Sequence, residues 1–579
     1  MTDGDSGART ALSQLQQLLA DEWEFRMQEN PLFATRCGDH RFGDRLPAVS
    51  EEDFERRLAQ ARVFLDRLRG IDRSALTSAA QLNYDMFERE IKDRIAEYEF
   101  GAHLMPVTKA SGLHRSFPDL PNIAPLDTLK DYENYVARLD AFQAFVQAHV
   151  EVMRSGMHKG YVPPRVALEG VEDSIQAHIV QDPTQSVLFK PFGRFPESIV
   201  EADRRDVIQA GCAAIANSVV PGYQALLQFM LDEYIAAGRK DIAASALPNG
   251  RAFYEHRVRK NTTLNLTPQQ VHDIGLDEVQ RIRGEMRDII ERIGFQGGFH
   301  EFVEFLRTDE RFYVDTPEAL MKEVALIMKK IDGQLPRLFK TLPRLPYGLR
   351  QIPDYIAPKT TSAYYFPPPG DGTRAGFYYV NTYDLKSRPL YEYESLSLHE
   401  AVPGHHLQLA LQMELDLPDF RRFGGVTAFI EGWALYAERL GLEVGFYQDP
   451  YSDFGRLTFE MWRATRLVVD TGMHYLGWTR QQAIDFMAEN TALSLLNITN
   501  EVDRYIAWPG QALAYKVGEI KMRELRALAE QELGPRFDVR EFHSIILENG
   551  GIPLDVLEAN VGRWLADQAV TDQVEALGS

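Results

Sequence analysis

Apolar positions recur along most of this chain at the three-to-four-residue spacing of amphipathic helices, and polar caps mark where those helices start. Ser50-Glu51-Glu52-Asp53 opens a stretch whose apolar face runs through Leu65 and Leu68. Thr267-Pro268-Gln269-Gln270 supplies a cap with proline in the first turn, and Thr316-Pro317 repeats that device before Leu320, Val324 and Met328. Thr479-Arg480-Gln481-Gln482 is a further capping box. One segment breaks the rhythm. Thr360 to Phe366 and Ala375 to Thr382 are rich in Tyr, Phe, Val and Thr and are divided by Pro367-Pro368-Pro369-Gly370-Asp371-Gly372, which predicts a β-hairpin or paired strands. The expected fold is mainly α, with a small β-hairpin or sheet close to the histidine-rich run that follows. An edge strand there could pair with an extended peptide backbone, and a hairpin that only packs is equally compatible.

Length changes this picture little. The 579 residues are 45% hydrophobic and 25% charged, ordinary globular composition with ample core material. No Ser/Gly linker, low-complexity tract or fixed-period repeat divides them, so the expectation is one helical unit over 1–579 with approximate lobes at 1–250 and 251–579. Charge narrows the partners: 63 basic against 84 acidic residues give a net −21, which argues against a nucleic-acid surface and against anionic membranes. The opening Met1-Thr2-Asp3-Gly4-Asp5-Ser6 has no secretory pattern, and no uninterrupted apolar run approaches a membrane span. Cys37 and Cys212, far apart, read as buried free thiols, and these features together predict a cytoplasmic protein. The sequence carries no signal of oligomeric state.

The densest chemistry lies in Ser397-Leu398-His399-Glu400-Ala401-Val402-Pro403-Gly404-His405-His406, which holds three of the fourteen histidines, and in Phe429-Ile430-Glu431-Gly432-Trp433-Ala434-Leu435-Tyr436-Ala437-Glu438. In the zincin motif H-E-x-x-H two imidazoles one helical turn apart bind Zn²⁺ and the intervening Glu is the general base toward water. A third ligand is often a Glu from the next helix, and twenty-five residues separate His405 from Glu431 here. Two extra residues lie between the histidines, however. On an ideal helix His399 and His405 would be rotated by roughly 240° net and lie ~9 Å apart along the axis. His406 would return to the His399 face but ~10.5 Å along it. Either ligand needs a helix that bulges at Pro403-Gly404; His405 needs less compression and is preferred, with His406 its competitor. Farther on, Glu501-Val502-Asp503-Arg504-Tyr505 and Trp508-Pro509-Gly510-Gln511-Ala512-Leu513-Ala514-Tyr515-Lys516 concentrate donors around an aromatic centre. A Tyr hydroxyl or Arg from such a run could stabilise the oxyanion of amide hydrolysis, although aromatic packing alone also explains it.

These residues carry a resemblance. His-Glu-Ala-Val-Pro-Gly-His-His at 399–406, Glu-Gly-Trp-Ala-Leu-Tyr-Ala-Glu at 431–438, Asp470-Thr471-Gly472-Met473-His474 with Gly477-Trp478-Thr479, and Arg504-Tyr505 with Pro509-Gly510-Gln511-Ala512-Leu513 resemble the bacterial family called domain of unknown function 885. Asn261-Thr262-Thr263 and Leu276-Asp277-Glu278-Val279 extend the likeness to nearly the whole chain. That family is in turn similar to helical gluzincin peptidases such as angiotensin-converting enzyme, thimet oligopeptidase and the Taq-type carboxypeptidases. The resemblance implies a deep groove between two lobes with zinc on its floor, Gly404-His405 as the Gly-His end of the zinc motif, and Tyr505 beside Arg504 as oxyanion donor, with Tyr515 the alternative. Dipeptidyl peptidase III, with a motif lengthened by one residue, is a precedent for stretching. Where converting-enzyme-like sites carry an acid four positions after the third ligand this chain has Leu435; Glu438 could orient a zinc-bound His instead. His474 could meet a substrate carbonyl or satisfy a buried backbone group.

The reading that follows is a zinc metallohydrolase, a peptidase for short peptides, with His399, His405 and Glu431 holding Zn²⁺, Glu400 as general base, and Tyr505, Arg504 and His474 assisting. The rivals are a hydrolase of non-peptide amides or esters and a non-catalytic metal-stabilised scaffold that binds peptides. Glu400, which binding alone does not need, weighs against the scaffold.

Overall fold

The computed structural model describes residues 3–578 apart from 355, 369–371 and 373, and it is mainly helical with one small sheet. The chain divides into two compact units, Met1–Phe253 and Tyr254–Ser579.

The first unit is built on long amphipathic helices, among them α1 (Asp3–Glu29), α2 (Glu51–Arg69), α3 (Ser78–Glu99) and α4 (Phe142–Lys159). Ser50 caps α2 as its sequence predicts, accepting from the Asp53 N–H at 3.1 Å, and Phe64, Leu65 and Leu68 are buried along one face. Aromatic packing makes the core: Phe117 stacks on Phe142 with ring centroids 4.1 Å apart, and Tyr132, Tyr135 and Tyr223 are buried around them. Cys37 and Cys212 form no disulfide, and they are partly rather than fully buried.

The second unit carries the candidate chemistry. Its helix α5 (Pro268–Ile293) starts with the expected capping box at Thr267 and Gln270, Thr479 and Gln482 form another at Arg480–Asn490, and Thr316 caps Pro317–Asp332 through its side chain alone. The β segment forms a three-stranded sheet in the order β1-β3-β2, where β1 is Tyr347–Gln351, β2 Ala363–Phe366 and β3 Gly376–Val380. The strands β2 and β3 pair antiparallel as the hairpin pattern predicts; β1, parallel to β3, has too few β-formers to stand out in the sequence. Of the Pro/Gly loop between β2 and β3, Pro369, Gly370 and Asp371 lie outside the described residues.

Behind the sheet come α6 (Tyr393–Glu400), α7 (His405–Glu414), α8 (Thr427–Leu440), α9 (Pro450–His474), α10 (Leu495–Ala507) and α11 (Ala514–Leu533). Every residue of α9 from Phe454 to His474 is buried, so this helix is the axis of the unit. The helices α8 and α11 meet backbone to backbone at Gly432 and Gly518: a Cβ on Gly432 would approach the Gly518 Cα to 2.5 Å. That contact brings Glu431 of α8 and Tyr515 of α11 to the same cavity. No described helix is long and apolar enough to cross a membrane.

Candidate metal centre

The histidine run does not bulge within one helix, as its spacing predicts; the helix stops and restarts. The segment α6 ends at Glu400, the backbone leaves helical geometry at Ala401 (φ −96°, ψ −111°), Val402-Pro403 is cis, and α7 begins at His405. The physical reason is the missing donor at Pro403 followed by a residue with no side chain. Gly404 lies so tightly against the preceding turn that a Cβ there would overlap the carbonyl oxygens of His399 and Leu398, and its N–H donates to the Leu398 oxygen at 2.9 Å. The Trp433 indole N–H holds the break from the other side by donating to the Pro403 oxygen at 2.8 Å.

This break brings His405 back toward His399. The two rings stand nearly perpendicular, with centroids 4.8 Å apart. Glu431 Oε2 lies 3.8 Å from His399 Nε2 and 3.4 Å from His405 Nε2, and the ligand atoms of all three residues fall within 4.8 Å of one another. Tetrahedral zinc with bonds of 2.0–2.2 Å spaces its donor atoms about 3.3–3.6 Å apart, so two imidazoles and a carboxylate at these separations fit that ion. Glu431 Oε2 is also buried without a hydrogen-bond partner, the kind of anionic atom that a cation satisfies. His406 turns the other way. Its Nδ1 pairs with the Tyr365 hydroxyl at 2.8 Å and its ring packs on Tyr347, so it is committed to the sheet.

Glu438 holds His399 in place. Its Oε1 accepts from His399 Nδ1 at 2.7 Å while Ser395 Oγ donates to its Oε2 at 2.6 Å, which leaves Nε2 of His399 as the ligand atom. Residues seven apart on a helix differ by about 700°, nearly two whole turns, so Glu438 projects from the Glu431 face of α8. Leu435, also on that side, is apolar and buried.

Electrostatics sorts the three acids. Burial lifts the Glu400 carboxyl from 4.5 to about 7 against the pull of His405, with Glu431 adding to the rise. A carboxyl there can take and return a proton near neutral pH. Burial acts the same way on Glu431, but the His405 and His399 rings and the Arg466 guanidinium outweigh it and hold that group at about 2. Glu438 rises to about 7 through burial, against Arg463 and the Ser395 hydrogen bond. Burial and the neighbouring His405 charge keep His399 well below its ordinary value, hence neutral and ready to ligate, whereas Glu431 raises His405 despite burial.

The three candidate ligands and Glu400 line a cavity of about 360 Å³. One wall is the segment Thr361 to Tyr365, which runs into the edge strand β2. Arg504 and Tyr515 also line it. Tyr505 and His474 do not. The Tyr505 hydroxyl accepts from Trp462 Nε1 at 2.9 Å and from Arg466 Nε at 2.8 Å and donates to Glu501 at 2.8 Å, which uses its whole hydrogen-bonding capacity. Neighbours in a helix differ by about 100°, so α10 turns Arg504 to the cavity and Tyr505 into the core behind it. His474 is buried with Nε2 against the Tyr505 carbonyl oxygen at 3.0 Å, the backbone-satisfying role. Sequence reasoning missed Arg463 and Arg466 of α9, both in the cavity wall. The signal was present: arginines 456, 463 and 466 recur at helical spacing in a stretch otherwise too apolar to face water.

Among the described residues one other acidic group has metal-like spacing, Glu278, Glu460 and Glu519. Its centre is taken by the Lys516 ammonium, 2.9 Å from Glu278 and 2.8 Å from each of the other two. This is a buried ion network.

Fold and site together define a mainly helical protein with a candidate His-His-Glu metal centre built across a broken helix. The chain belongs to the family of bacterial proteins of unknown function DUF885, which it matches over residues 31–561. No curated protein is significantly similar to it. Among solved structures it is similar to a protein described as a putative lipoprotein from Colwellia psychrerythraea, at 29% identity and a TM-score of 0.91 over 97% of this chain and 99% of that one. It is also similar to a protein described as a putative lipoprotein of unknown function from Shewanella oneidensis, with a TM-score of 0.71 over 94% and 99%. At 18% identity the second likeness shows the fold alone.

Proposed function

We propose that this chain is a zinc-dependent hydrolase that cleaves amide bonds in short peptides. The observation that carries the reading is the meeting of His399, His405 and Glu431 within 4.8 Å beside a buried Glu400 of raised pKa. Bound there, Zn²⁺ would acidify a water and polarise the scissile carbonyl. Glu400 accepts the water's proton and returns it to the leaving amine. Tyr515, which lines the cavity where Tyr505 does not, takes the oxyanion role that the sequence pattern gives to Tyr505, and Arg504 adds positive charge from α10. The strand β2 bonds β3 along one side only, and its other edge can pair with an extended substrate backbone. The likeness of the motifs to helical gluzincin peptidases supports peptides over other amides. A net charge of −21 supports a small-molecule partner over nucleic acid or an anionic membrane.

The test is zinc content and peptide turnover in the same preparations. Wild type should carry about one zinc per chain and cleave a mixed short-peptide library followed by mass spectrometry. His399→Ala and Glu431→Ala should lose the metal. Glu400→Gln should keep it and lose about 10²–10⁴-fold in rate, the usual worth of general-base catalysis. Zinc without cleavage of any peptide, amide or ester would leave the scaffold reading. Cleavage of esters or non-peptide amides alone would change the substrate class. The cytoplasmic placement is tested by cell fractionation, and recovery with the membrane lipoproteins would overturn it.

A further inference from the structure

The cavity that holds the histidines is also lined by two arginines whose bonding is incomplete. Arg463 and Arg466 lie three residues apart on α9, so they share a face, and they are only 4% and 3% exposed. Two other buried cations of the unit are closely matched by carboxylates. Lys516 has three carboxylates, and Arg456 is held by Asp453 at 2.8 Å and Glu460 at 3.3 Å. The pair at the cavity is treated differently. Arg463 donates to the Phe459 carbonyl oxygen at 3.3 Å, reaches Glu438 only at 3.6 Å, and keeps a buried Nε–H with no partner. Arg466 uses Nε on Tyr505 and Nη2 on Glu501 at 3.1 Å, while its Nη1 is buried and unpartnered. Leaving a charged donor buried and unpaired is costly, so such groups call for a ligand or a function.

Two further facts specify the ligand. The guanidinium planes are fixed by rings: Arg463 lies 4.6 Å from the Trp462 centroid, and Arg466 lies 4.4 Å from both Trp462 and Tyr515. The donors are thus oriented before anything binds. Charge on this wall is also uneven. Arg463, Arg466 and Arg504 face the cavity with Glu501 the acid among them, in a chain whose net charge is −21. Planar guanidinium donors gathered on one wall of a small cavity match a carboxylate.

We infer that Arg463 and Arg466 form a carboxylate-binding subsite, so that the peptides this enzyme prefers carry an anionic group close to the bond it cuts. This rests on the peptidase reading, although binding can be measured without turnover. Short peptides have two sources of that group, the C-terminal carboxylate and an Asp or Glu side chain. The first makes the enzyme a trimmer of peptide C-termini, and the second makes it selective for acidic sequences.

The experiment is calorimetric titration of Glu400→Gln protein with three ligands: acetyl-Ala-Ala-Ala as free acid, the same peptide as C-terminal amide, and acetyl-Ala-Glu-Ala amide. At least one of the two anionic peptides should bind about 10- to 100-fold more tightly than the neutral amide, the scale of a lost hydrogen bond to a charged group. Which one it is identifies the source. The difference should persist after zinc is stripped with a chelator, and it should collapse in Arg463→Gln and shrink in Arg463→Lys, which keeps the charge but not the fork. Equal binding of all three peptides overturns the subsite, and so does a preference that vanishes with the zinc, because the metal would then be the anchor. Should Arg463→Gln not fold, the chelated protein still decides. Failure of the parent reading looks different: wild-type protein that cleaves none of these peptides yet keeps the anionic preference has the subsite without the proposed activity.

Discussion

Replacing Glu438 by Ala should weaken zinc binding without removing a ligand. His399 is 2% exposed and its Nδ1 is 2.7 Å from Glu438 Oε1, so the substitution strands a buried imidazole N–H and frees the ring to turn. A hydrogen bond to a charged partner is worth about 1.5–3 kcal/mol. Loss of an outer partner to a ligating histidine costs about 10–100-fold in metal affinity, or about 1.4–2.8 kcal/mol, the same range reached independently. Glu438→Gln keeps an acceptor oxygen for Nδ1 and loses the charge, and Ser395 Oγ can rotate to accept from the new amide; it should fall between wild type and Glu438→Ala. The assay is competition with a chelator of known affinity at pH 8, above the value of about 7 to which burial raises Glu438. A Glu438→Ala protein that binds zinc within twofold of wild type, and is folded by circular dichroism, refutes the claim that this carboxylate orients the ligand.

Three other outcomes follow from the geometry. Tyr515→Phe should lower kcat by about 10²-fold with KM little changed, the scale of one oxyanion donor, while Tyr505→Phe should act mainly on stability through its bonds to Trp462, Arg466 and Glu501; steady-state kinetics and melting curves that show the reverse return the role to Tyr505. Lys516→Met leaves Glu278, Glu460 and Glu519 facing one another without their shared cation and should cost about 3–5 kcal/mol in urea unfolding at pH 7; a loss below about 1 kcal/mol would mean that Arg281, which also pairs with Glu278 and Glu460, suffices. Burial raises Glu392 from 4.5 to about 7, so the folded chain keeps this proton longer than the unfolded chain and stability is lost as pH rises from 4.5 through about 7; Glu392→Gln should therefore gain up to about 3 kcal/mol at pH 8 and almost nothing at pH 4, and equal shifts at both pH values would refute it.

Local chemistry carries through from sequence to structure wherever the deciding contacts are close along the chain. The caps at Ser50, Thr267, Thr316 and Thr479 each bond within three residues, so the helices they start are legible without any fold. The pairing of β2 with β3 is likewise written in two short aromatic runs divided by a Pro/Gly loop. The candidate ligands His399, His405 and Glu431, with Glu400 between them, are readable because metal chemistry restricts both residue type and spacing. The form of the break between the histidines is not readable. Proline and glycine announce an interruption, but whether the helix bulges or restarts depends on Trp433, thirty residues away, which holds the Pro403 carbonyl. Tyr505 and Tyr515 look equivalent in sequence; only the packing of α10 on α9 spends the Tyr505 hydroxyl on Trp462, Arg466 and Glu501 and leaves Tyr515 at the cavity. The same holds for Glu438 behind His399 and for Arg463 and Arg466 beside the site. A side chain's type fixes what it can bond, but its partners here come from helices 35 to 43 residues apart, and only the tertiary fold decides which donors meet an acceptor and which are left facing the cavity.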